Sequence, residues 1–174
     1  MKKTLILFLF VMFFYVYMSS VVINNVTIPD DAIRIRVVPN SNSDYDQKVK
    51  MDVKNDLEKT MYSLLKDAKN SSEAKEIIES NLSDVDSEVA SLLSEKNYNK
   101  GYDVNFGLNY FPEKEYKGVK YNAGYYESLL VTLGAGEGDN WWCVLFPPLC
   151  LIEGEENDTV EYKSIVKEII DRYL

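Results

Sequence analysis

The run Gly101-Tyr102-Asp103-Val104-Asn105-Phe106-Gly107-Leu108-Asn109-Tyr110 decides the fold class of this chain. Tyr102, Val104, Phe106, Leu108 and Tyr110 alternate with Asp103, Asn105, Gly107 and Asn109, a period of two that specifies a half-buried β-strand. Pro112 ends it. The segments immediately before this run repeat at helical spacing instead. Val49, Val53, Leu57, Met61, Leu64 and Leu65 form one stripe, and Ser43 is placed to cap the helix that carries them. Asp44 and Asp46 sit at its positive dipole end.

Working outward, Asn70 with Glu73 matches a capping arrangement before Ile77 and Ile78, and Ser83 can cap a third segment bearing Val85, Val89, Leu92 and Leu93. Ile33 to Val38 reads as a strand, as do Tyr116 to Tyr121, with its turn, and Tyr125 to Leu133. An amphipathic helix closes the chain from about Thr159, with Val160, Ile165, Val166, Ile169 and Ile170 on its apolar side. Strands grouped between helices predict an α+β fold, with amphipathic helices over one face of an antiparallel sheet.

The first 23 residues stand outside that fold. Lys2 and Lys3 form a positive start, and Thr4 to Ile23 carries no charge. As a helix this stretch spans about 30 Å, the thickness of a hydrocarbon core. The lysines stay in the cytoplasm and the remainder is expected beyond the membrane. Signal peptidase prefers small residues at −3 and −1, and Tyr17 or Met18 at −3 fits poorly. A retained anchor and a cleaved signal both remain open. The expected organisation is residues 1–23 as signal or anchor, 24–31 as spacer, and 32–174 as one exported domain.

Hydrophobic residues make up 46% of the 174, enough for a core. A formal charge of −9 argues against a nucleic-acid partner, since phosphate binding needs a basic face. The sequence contains no histidine, which removes the commonest general base and zinc ligand together. No metal and no cofactor is expected. Asn40-x-Asn42-x-Asp44 opens like a calcium loop, but Tyr45 replaces the required glycine and Met51 the bidentate glutamate. It reads as a capping turn. Gly134, Gly136 and Gly138 miss the dinucleotide spacing and read as a flexible or bulged connector. Glu127, Glu137, Asp139 and Cys143 are conceivable catalytic groups, yet nothing singles out a carboxylate pair and Cys143 lacks a histidine to activate it.

Asn140-Trp141-Trp142-Cys143-Val144-Leu145-Phe146-Pro147-Pro148-Leu149-Cys150 gathers both tryptophans, both cysteines and two of the five prolines. Large aromatics and backbone-fixing prolines suit recognition better than catalysis. Outside the cytosol, two cysteines favour a Cys143–Cys150 disulfide closing this loop, worth about 2.5 kcal/mol in the chain-entropy model; two buried thiols are the alternative. The aromatic stretch reads either as a surface that meets a partner or as a hydrophobic plug at one end of the core.

This run resembles the signature of the stage II sporulation protein R family. Ile33-Arg34-Ile35-Arg36-Val37-Val38-Pro39-Asn40-Ser41 followed by Asp46-Gln47, then Tyr110-Phe111-Pro112, then Ala123-Gly124-Tyr125-Tyr126-Glu127-Ser128-Leu129 are similar in order, so the likeness covers about residues 33 to 152. Arg36 stands where the family often has His, and Asn42 where it often has Asp, so neither is given a catalytic role. The resemblance implies a non-enzymatic signal, exported from the forespore into the space between the septal membranes. It further implies that the signal triggers a membrane-embedded aspartic protease of the mother cell, of the stage II sporulation protein GA type, which processes the sigma-E precursor. Asn140, Trp141, Trp142, Phe146, Pro147 and Pro148, with Tyr125, Tyr126 and Glu127, are the expected contacts to that protease. A cell-envelope enzyme or a peptidoglycan-binding module is the competing class.

Overall fold

A computed structural model describes residues 2–23, 28–116, 119–149 and 159–173. In chain order the elements are α1 (Lys2–Ile23), β1 (Ile33–Val38), α2 (Asp44–Leu65), α3 (Ser71–Glu95), β2 (Tyr102–Phe111), β3 (Lys114–Tyr116), β4 (Val119–Tyr121), β5 (Gly124–Leu133), β6 (Trp141–Phe146) and α4 (Thr159–Tyr173). The α+β class holds.

The sheet is mixed, not antiparallel. Its order is β2-β5-β1-β6, with β1 parallel to β5 and the other two pairings antiparallel. The α2/α3 excursion carries the chain away after β1, and β5 later returns beside β1 in the same direction. Burial on both faces of β5, from Tyr126 and Ser128 to Leu129, Val131 and Leu133, suits this inner position. Periodicity reports which residues share a face; it carries no information on which strand lies alongside.

The two central helices obey their caps. Ser43 accepts from the Asp46 amide at the start of α2, and Asn70 accepts from the Glu73 amide at the start of α3. Ser83, however, caps nothing. It lies mid-helix, its carbonyl accepting from the Ser87 hydroxyl. With no Gly or Pro between Ser71 and Glu95, the stripe of Ala74, Ile78, Val85, Val89 and Leu93 continues without a break.

Strand alternation divides the core in two. Ile33, Ile35 and Val37 of β1, with Leu129, Val131 and Leu133 of β5, pack against the apolar stripes of α2 and α3. The opposite face carries a second cluster in which Val144 meets Ile28, Val119, Tyr121, Leu149 and Val166 of α4. Helices therefore do not lie over one face alone, because α4 and the β3–β4 hairpin cover part of the other. Burying about thirty apolar side chains on two faces is the dominant stabilising term at roughly 25 cal/mol per Å².

Among the described residues no helix is long and apolar enough to cross a membrane. The anchor or signal role of residues 1–23 stays an expectation.

Candidate functional site

The Asn140–Cys150 run is a strand over most of its length. Trp141 to Phe146 form β6 at one edge of the described sheet, paired antiparallel to β1 with Trp142 opposite Arg36 and Trp141 opposite Val37. Adjacent strand residues point to opposite faces. Trp141 accordingly joins the core on the α2/α3 side, and Trp142 joins the cluster on the other. Trp141 to Phe146, expected within a loop, form a strand because their alternating apolar residues find partners on both faces.

Trp142 is held by rings and cations. Its indole meets Phe111 edge-on at 5.7 Å and Tyr121 at 5.2 Å. The Arg34 guanidinium lies 5.3 Å from it, and the Lys114 ammonium also 5.3 Å. Arg34 is completely buried, stacked on Tyr126 and close to Phe111. Its Nη2 donates to the Asn122 carbonyl at 3.3 Å, while Nε and Nη1 find no hydrogen-bond acceptor among the described residues. Neighbouring Arg36 sits 4.0 Å over the Phe111 ring and donates to the Tyr110 carbonyl at 2.7 Å. Burial lowers the pKa of both arginines. Each nevertheless stays charged, since guanidinium deprotonates only far above neutral pH. Aromatic faces take the place that a carboxylate would normally occupy.

A second construction fixes the entry to β6. Gly138 and Glu137 donate to the carbonyls of Pro39 and Asn40, and the Asp139 amide donates to Asn42. A side chain at Gly138 would collide with the Ser41 carbonyl, so glycine is required by close backbone approach. The glycine segment is thus a docked connector, and Asn40 and Asn42 are its hydrogen-bond partners. Asp46 anchors the loop below. Burial alone would raise its pKa, but bonds from Lys100, Ser41, Asn40 and Ser43 hold it well below the usual carboxylate range. Lys50, its own pKa lowered by burial, donates to the Asp139 carbonyl at 3.0 Å.

Between these supports lies a cavity of about 400 Å³. Asn140, Trp141, Trp142 and Cys143 line it from β6, Met51 and Lys54 from α2, and Lys114, Tyr116 and Tyr121 from the hairpin. Lys54 approaches the Trp141 ring to 5.2 Å while pairing with Glu58 at 2.7 Å. In a chain of charge −9, the charged side chains that line this cavity among the described residues are both lysines.

The remaining expected contacts scatter. Phe146 is buried against Tyr173, and Pro147 is buried beside it. Pro148 lines a separate cavity of about 170 Å³ between α2 and Tyr173. Tyr126 is buried beneath Arg34. Tyr125 is 71% exposed against Tyr110, and Glu127 pairs with Lys75 of α3, both away from the tryptophan cavity. Cys143 is buried with its Sγ 3.6 Å from the Val144 carbonyl. No disulfide occurs among the described residues, and Cys150 lies outside them. No cluster of metal-ligating side chains occurs among the described residues either.

Sequence reasoning missed Arg34, Lys54, Lys114, Tyr116 and Tyr121. The Arg34/Arg36 alternation inside an apolar strand was the available signal, since charges there must either face water or be caged. The lysines carried no signal. They reach the cavity only through the packing of α2 and the hairpin.

The stage II sporulation protein R model matches residues 29–156. This chain belongs to the stage II sporulation protein R family. Stage II sporulation protein R of Bacillus subtilis (strain 168) is 39% identical over 136 residues, 78% of this chain and 61% of that protein. The chain therefore spans less than two thirds of that relative's length. No solved structure matches. The family match contains every element from β1 to β6, so the tryptophan cavity and the caged arginine lie wholly within family sequence.

Proposed function

We propose that this member of the stage II sporulation protein R family is an exported signal of endospore formation. In this reading it activates a membrane-embedded aspartic protease of the mother cell, of the stage II sporulation protein GA type, and so causes processing of the sigma-E precursor. Residues 1–23 direct export across the forespore membrane, and the domain from β1 onward acts in the septal intermembrane space. The protein is a ligand and not a catalyst.

The observation that carries the reading is the family match across the domain, with the tryptophans of its signature run lining an open cavity. Half-buried aromatics that already sit on a rigid strand lose little entropy on binding, and such groups commonly dominate contacts at about 2 kcal/mol or more each. Binding shifts the receptor only as far as its affinity differs between inactive and active states.

Co-production of this chain with protease and precursor in a non-sporulating host should yield the shortened sigma factor. Full-length precursor alone, with all three proteins present, would sink the reading. A peptidoglycan-binding module would instead co-sediment with purified cell wall.

A further inference from the structure

Trp141 and Trp142 project to opposite faces of the sheet, yet both line one cavity. The cavity must therefore run along the β6 side of the sheet, from the α2 wall of Met51 and Lys54 to the hairpin wall of Lys114 and Tyr116. A compact ion would touch one wall only. An extended peptide, whose successive side chains point to opposite sides, reaches both.

The two walls differ in chemistry. On the α2 side the Lys54 ammonium is already paired with Glu58, leaving Met51 and the Trp141 ring as an apolar contact. On the hairpin side Lys114 is exposed and its described contact is the Trp142 ring, not a carboxylate. A polyanion such as nucleic acid would be repelled by the overall charge of −9, whereas an isolated carboxylate feels mainly the nearby lysine.

We propose that this cavity receives an extended segment of the partner carrying one carboxylate side chain, held against Lys114, with an apolar neighbour against Met51 and Trp141. The proposal deepens the signalling reading and rests on it for the identity of the partner, but its chemistry can be tested alone. The two tryptophans of the chain both line the cavity, so their intrinsic fluorescence reports occupancy directly.

The full chain in detergent is titrated with three pools of short synthetic peptides. Each peptide carries one acidic, amide or basic residue among apolar and uncharged neighbours. The acidic pool should give a saturable change, with affinity about tenfold weaker for the amide pool, and weaker by a similar factor in Lys114→Glu protein. Lys114→Gln should fall between. Equal affinity for acidic and amide pools, indifference to Lys114→Glu, or no saturable change with the acidic pool would each overturn the assignment. Matching thermal melts of the variants establish that they fold. Lys114→Glu protein that drives sigma-factor processing as well as the parent also overturns it. Failure of the signalling reading looks different, because the parent chain is then silent in co-production whatever the peptides do.

Discussion

The guanidinium carbon of Arg34 lies 3.5 Å from the centroid of the Tyr126 ring, fully buried and 5.3 Å from the Trp142 ring. Among the described residues no carboxylate forms an ion pair with it. Asp30 favours its charged form without pairing with it. The side chain spans from β1 to the rings of β2, β5 and β6, so its volume and its faces matter more than its charge. Arg34→Ala should cost about 3 kcal/mol, because it opens a hole among Phe111, Tyr126 and Trp142. Arg34→Met should stay within about 1 kcal/mol of the parent, since a well-packed apolar side chain can replace a buried cation. Urea unfolding of the two variants checks this. Equal losses would mean that the cation–π contacts, not the filling of space, hold the cage.

Asp46 makes stability depend on acid. Its folded pKa is depressed, so the unfolded chain binds a proton more readily than the folded one. The stabilisation is complete above the unfolded carboxylate pKa and disappears as pH falls toward the folded value. The melting temperature should therefore drop progressively below about pH 4. Asp46→Asn should lower stability at neutral pH by about 2 kcal/mol, by removing the acceptor for Lys100, Ser41 and Asn40. The variant should also flatten the acid slope. Melts between pH 3 and pH 7 that decline in parallel for both proteins would assign the slope to other carboxylates.

Gly138→Ala should lose roughly 2–3 kcal/mol, a large effect for one added methyl on a connector. The new Cβ would meet the Ser41 carbonyl, a backbone atom that cannot swing away. Gly107→Ala serves as the control, since a Cβ there meets nothing within 4 Å. Comparable melting temperatures for the two variants would show that the Pro39–Asn42 loop yields easily.

The two tryptophans should separate by experiment. Trp142→Ala removes the indole that Phe111, Tyr121 and Arg34 surround, and should cost about 3 kcal/mol of stability. Trp141→Ala should cost less and act mainly on processing in the co-production assay. Stably exported Trp141→Ala protein that activates normally would remove the cavity from the docking surface.

The local signals were legible because they are local. Ser43 and Asn70 cap their helices as their side-chain chemistry requires. Tyr102, Val104 and Phe106 turn into the core as a period of two demands, but Leu108 and Tyr110, expected on the same side, are exposed. The family, too, could be read from the signature run. Ser83 misled because a capping residue is recognised by chemistry alone, while the helix continues wherever its apolar stripe stays buried.

Tertiary structure alone set β1 parallel to β5, since a strand's sequence records its two faces and not its neighbours. It also divided Trp141 from Trp142, buried Arg34 among rings from three other strands, and brought Met51, Lys114 and Asn140 to one cavity. Those residues are distant in the chain. Only the long-range burial of apolar surface, acting on all the elements at once, makes them adjacent.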